Sequence, residues 1–104
     1  MSEQRRLPKD KLKVGEATRL DGPNGGICLV RLEDGFHALG DRCSHADVSL
    51  SEGDVDTEER TVECWMHGSV FSVVDGKPLC LPATKPVPVY SVEEDGDEVV
   101  VTFK

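Results

Sequence analysis

Near the end of the chain, apolar and polar residues alternate with a period of two: Val99, Val101 and Phe103 fall on one side of Glu98–Phe103. That period predicts a strand with one buried face. Shorter strand-like stretches lie at Ala17–Leu20, Ile27–Leu32 and 36–39, separated by Asp21-Gly22-Pro23-Asn24-Gly25-Gly26 and by Glu33-Asp34-Gly35. These glycine-rich breaks predict tight turns and hence an antiparallel meander. Further strands are expected at Thr61–Glu63, at 70–74 before the turn Asp75-Gly76, and at 87–92. The last of these joins Glu98–Phe103 around Glu94-Asp95-Gly96-Asp97 as a hairpin. Four prolines in 78–88 forbid regular pairing there, so that segment is expected to be a loop. No stretch has the 3.6-residue period of a long helix, and the predicted class is all-β.

The stretch from about 41 to 82 shows little periodicity and interrupts two strand-rich flanks. It reads as a subdomain inserted in a β base. A chain of 104 residues closes one small core, so residues 1–104 are expected to form a single domain. Ten glycines and six prolines agree with short strands and many turns.

Charge narrows the partners. Twenty acidic and twelve basic residues give a net charge of −8, which repels nucleic acid and favours a basic protein surface. Residues 1–20 hold six Lys/Arg against three Asp/Glu, so the acidity belongs to the rest of the chain. It is densest in Glu52-Gly53-Asp54-Val55-Asp56-Thr57-Glu58-Glu59, read as a solvated loop or as a docking surface. No apolar run approaches the roughly 18 residues of a membrane span, and the start Met1-Ser2-Glu3-Gln4-Arg5-Arg6 lacks the apolar core of a secretory signal. A cytoplasmic protein, most simply a monomer, is expected.

Four cysteines in so short a chain suit two disulfides only in a secreted context, so a metal site is the better expectation. Cys28, within Ile27-Cys28-Leu29-Val30, reads as a small buried side chain. Cys80, in Pro78-Leu79-Cys80-Leu81-Pro82, has no assigned role. Cys43 and His45 form Cys-Ser-His; Cys64 and His67 form Cys-Trp-Met-His, eighteen residues on. Structural zinc uses such donors, but usually takes a Cys pair from one knuckle and a His pair from another. Here each loop offers one of each. Alternation suits two metals: with two sulfide-bridged irons, each loop gives its Cys to one iron and its His to the other, as in a His₂Cys₂ [2Fe–2S] centre. A zinc-binding structural module remains the remote alternative.

Cys-Ser-His, the spacer and Cys-Trp-Met-His-Gly-Ser resemble the two ligand boxes of the Rieske family, and the resemblance covers nearly the whole chain. The stretch from Phe71 through Asp75-Gly76-Lys77-Pro78 and Leu81-Pro82-Ala83 to Pro-Val-Pro-Val-Tyr is similar to the ferredoxin components of ring-hydroxylating dioxygenases, of the 3-phenylpropionate/cinnamate and biphenyl type. Closer still, Cys-Ser-His-Ala-Asp-Val-Ser-Leu-Ser-Glu-Gly resembles actinobacterial ferredoxins found among iron–sulfur assembly genes.

The resemblance implies a Rieske fold, an antiparallel β-sandwich or barrel base with an inserted cluster-binding subdomain. It implies one [2Fe–2S] cluster held by Cys43, His45, Cys64 and His67, with Pro82 in a third loop that covers it. It implies an electron carrier running from a reductase to a terminal oxygenase or other redox protein, docking near His45 and His67, or else a redox or sensing accessory of cluster assembly. Two ferric ions, two sulfides, two thiolates and two neutral imidazoles sum to zero charge, so the site takes an electron more readily than a four-thiolate one. High-potential relatives carry an extra Cys in each box; Val48 and Met66 stand at those positions. Ser69 matches the family's sulfide donor, whereas the tyrosine expected two positions on is Phe71. One hydrogen bond fewer implies a potential low in the Rieske range of about −150 to +300 mV. Trp65 is expected to shield the cluster or else to contact a partner, and Gly68 to let the backbone approach the cluster.

The chain is not expected to be an enzyme. With His45 and His67 committed, only His37 remains, too few for a two-His-one-carboxylate iron site. Gly22-Pro23-Asn24-Gly25-Gly26 does not match a dinucleotide fingerprint.

Overall fold

A computed structural model describes residues 3–22, 26–42, 49–65, 68–79 and 86–103. Its strands are β1 (Glu3–Pro8), β2 (Ala17–Leu20), β3 (Ile27–Leu32), β4 (Gly35–Gly40), β5 (Asp54–Asp56), β6 (Thr61–Glu63), β7 (Val70–Ser72), β8 (Val89–Asp95) and β9 (Glu98–Phe103). Short 3-10 turns occur at Lys9–Lys11 and Leu50–Glu52. All pairings are antiparallel: a six-stranded sheet in the order β1-β9-β8-β4-β3-β2 and a three-stranded sheet β5-β6-β7.

The larger sheet is two three-stranded halves. Their junction, β4 with β8, is only two residue pairs long, Ala38 with Tyr90 and Leu39 with Val89. So short a seam lets the halves fold over one another, and their inner faces meet in one core of Ile27, Leu29, Phe36, Ala38, Val99, Val101 and Phe103. This is the expected β base. The second core lies on the other side of β3 and β4, where Cys28, Val30, Leu32 and Leu39 meet Leu50, Val62, Cys64, Phe71, Val73 and Val87. β3 is therefore covered on both faces, which explains its unbroken apolar run Ile27-Cys28-Leu29-Val30. Cys28 is fully buried, as expected, and burial together with the nearby Asp41 charge pushes its thiol pKa far up.

β2, β3, β6 and β9 have the expected bounds. β7 ends two residues early because Ser72–Gly76 closes a turn, with the Gly76 amide on the Ser72 carbonyl at 2.8 Å. β8 begins only at Val89, since Pro88 has no amide to give; its carbonyl instead accepts the Gly40 amide at 2.7 Å. β1 and β5 were not foreseen. β1 is a polar edge strand paired only with β9, and β5 runs inside the acidic stretch expected to be a loop or a docking surface.

Candidate metal centre

Three connections interrupt the second core, at 43–48, 66–67 and 80–85. Cys43, His45, His67 and Pro82 of the expected site lie on them, outside the described residues, as do Val48, Met66 and Cys80. The structure instead fixes the ends from which these connections leave.

The first is closed by a bridge between Arg42 and Ser49 and by the Leu50 amide on the Asp41 carbonyl at 2.6 Å. The Asp41 side chain is fully buried, and its carboxylate accepts the Ser49 hydroxyl and the Ser51 amide, the latter at 2.9 Å. Past this end, Gly53 lies so close to the Glu63 carbonyl that a Cβ could not fit between them. The first connection is thereby set against the residue preceding Cys64.

The described ends of the second connection are tied closely together. Cys64 follows β6, buried and outside any disulfide; its amide donates to the Ser69 carbonyl at 2.6 Å and its carbonyl accepts the Gly68 amide at 2.9 Å. Gly68 has φ +73°, which a side chain resists. Among the described residues, a Cβ there would meet only the Glu63 carboxylate, at 4.0 Å, so the positive φ is what favours glycine within the chain itself. The Ser69 side chain is buried beside this turn, and Phe71 is fully buried two residues on.

The third connection is held at both ends, by the Leu79 amide on the Val70 carbonyl at 2.7 Å and by the Val87 amide on the Gly76 carbonyl at 2.9 Å. Gly76, at φ +74°, sits where a Cβ would run into the Val87 carbonyl. Leu50, Cys64, Phe71 and Val87 belong to one buried cluster, so the ends of all three connections converge on the second core.

Trp65 is 54% exposed, so its indole presents an open apolar surface beside the Cys64 turn. Leu79, at the mouth of the third connection, is 59% exposed. Next to it runs an open groove of about 780 Å³ edged by Asp54, Asp56, Glu58, Glu59 and Glu63.

A buried thiol on a glycine-ended turn, with a buried serine hydroxyl next to it, fits a thiolate-ligated cluster. A Rieske [2Fe-2S] domain model matches residues 2–91. The chain belongs to the Rieske [2Fe-2S] family. Its Rieske cofactor is one [2Fe–2S] cluster, and the zinc reading of the donor set falls away. Over 94 residues it is 41% identical to the 3-phenylpropionate/cinnamic acid dioxygenase ferredoxin subunit of Escherichia coli K12, covering 90% of this chain and 87% of that protein. The ferredoxin of carbazole 1,9a-dioxygenase from Nocardioides aromaticivorans superposes with a TM-score of 0.88 at 36% identity, over 93% of each chain. A ferredoxin in complex with the oxygenase of carbazole 1,9a-dioxygenase matches with a TM-score of 0.84 at 33% identity, over 92% of this chain and 91% of that one. Among the described residues of this Rieske protein, no helix is long and apolar enough to cross a membrane.

Proposed function

We propose that this Rieske ferredoxin is an electron carrier and not itself a catalyst, taking one electron from a reductase and passing it to a terminal oxygenase. The observation that carries this is its match, along nearly the whole chain, to ferredoxin subunits of dioxygenases, including one seen in complex with its oxygenase. Residues 1–104 act as one domain, monomeric and cytoplasmic. Cys43 and Cys64 bind one iron, His45 and His67 the other, and the cluster supplies a site that gains and loses one electron.

The rest belongs to the chain. The Cys64–Ser69 turn presents the second thiolate, and the buried Ser69 hydroxyl is suited to donate to sulfur and favour the reduced state. By the resemblance, Pro82 belongs to a loop that would cover the cluster, and partners would dock near His45 and His67. Trp65 and Leu79 offer exposed apolar contact, and the acidic groove beside Leu79 draws a basic rim.

Purified protein is expected to contain two irons and two acid-labile sulfides per chain and to give a Rieske EPR signal after dithionite reduction, lost in His45→Ala and His67→Ala. Zinc without iron, or a native signal in either variant, overturns the assignment.

A further inference from the structure

We propose that Asp41 is a positioning residue that ties together the two ends of the first ligand segment, at Arg42 and Ser49, and so steadies the site to which Cys43 and His45 contribute. The inference rests on the ligand assignment above.

A buried carboxylate is costly unless its oxygens are satisfied, because it gives up hydration worth several kcal/mol. Asp41 is fully buried, yet every polar part of it is engaged. One carboxylate oxygen accepts the Ser51 amide at 2.9 Å; the other accepts the Ser49 hydroxyl and faces the Arg19 guanidinium at 3.6 Å. Its own amide donates to the Gly26 carbonyl at 3.0 Å, anchoring it to the start of β3, and its carbonyl accepts the Leu50 amide. Three successive residues past the loop, Ser49, Ser51 and the intervening Leu50, are thus tied to one residue before it. Its charge reaches the core as well, since it helps raise the Cys28 thiol.

Such a bond set fixes the two ends of the segment relative to each other. A ligand on a segment whose ends are fixed recombines with iron faster than a chelator captures the metal. Losing the clasp therefore speeds cluster release before it unfolds the base. Arg31 makes a fitting control. It donates to the carbonyls of Lys9 at 3.1 Å and Leu12 at 2.8 Å and stacks on Phe36, binding the base together away from the ligand loops.

The test uses the full-length, cluster-loaded protein and the variants Ser49→Ala, Asp41→Asn, Asp41→Ala and Arg31→Leu. Visible absorbance under excess chelator reads cluster loss, EPR of the reduced state reads ligand geometry, and far-UV circular dichroism reads the thermal midpoint. Expected are a severalfold faster loss and displaced EPR lines in Ser49→Ala and Asp41→Asn, and at least a tenfold faster loss in Asp41→Ala. Arg31→Leu should lower the midpoint with a wild-type loss rate. Should Asp41→Ala fail to fold, the two milder variants decide. Wild-type loss rates and EPR lines in Ser49→Ala and Asp41→Asn overturn the clasp, as does an equal acceleration in Arg31→Leu. A wild-type chain that takes up no cluster would refute the ligand assignment instead.

Discussion

Gly53 sits against the carbonyl oxygen of Glu63 with no space for a Cβ, and this contact joins the end of the first ligand loop to the start of the second. The oxygen belongs to the backbone of β6 and cannot swing aside. Gly53→Ala must push β5 from β6, and overpacking of this kind costs about 1–3 kcal/mol. Urea unfolding should show a loss in that range, together with faster cluster release under chelator. A variant as stable as the wild type would mean that the two loops are not set by this contact.

Phe71 stands where the sequence resemblance implied a thiolate-donating tyrosine. It is fully buried, packed with Val62 and Cys64 in the second core. Phe71→Tyr places a hydroxyl toward the cluster, and a hydrogen bond to the thiolate stabilises the reduced state. Voltammetry should therefore give a more positive potential than wild type. An unchanged or more negative value would dissociate the low potential from the missing donor.

Asp34 joins the turn after β3 to the turn after β5. One oxygen faces His37 Nε2 at 3.2 Å and the other accepts from the Arg60 guanidinium. The hydrogen bond to His37, aided by the positive charges of His37 and Arg60, holds its carboxyl below the usual carboxylate range. A depressed folded pKa stabilises fully above the unfolded value of about 3.9 and loses that contribution as pH falls through the folded value. The gap in urea midpoint between wild type and Asp34→Asn should close as pH falls below about 5. A gap that widens in acid would contradict the pairing.

Arg60 carries φ +61°, the left-handed region that a side chain occupies at a cost. Arg60→Ala loses the partner of Asp34 and keeps the strain, whereas Arg60→Gly loses the partner and relieves it. The glycine variant should be the more stable of the two by about 1 kcal/mol, as read by thermal or urea unfolding. Equal stabilities would show that the backbone there is relaxed.

The cofactor was legible in the sequence because coordination chemistry depends on which donors are present and how they are spaced, both local properties. The bounds of β2, β3, β6 and β9 were legible for a similar reason: short apolar or alternating stretches bounded by polar turns are themselves a local signal. β1 was not, since Glu3–Pro8 owes its strand to the exposed hydrogen-bonding edge of β9 rather than to any apolar face of its own. β5 was hidden in an acidic run, and its three residues pair only because Gly53 lets the chain approach β6.

What the sequence by itself determined is the cofactor chemistry and the β class, through donor identity, spacing and periodicity. Only the tertiary structure decided the environments. Asp41 reads as an ordinary acidic residue until Ser49 and Ser51 fold back onto it and close it from water. Trp65 lies in a turn that leaves its indole more than half exposed, which its neighbours in sequence do not record. Burial and exposure depend on residues far apart in the chain coming into contact, and no local pattern records which residues those are.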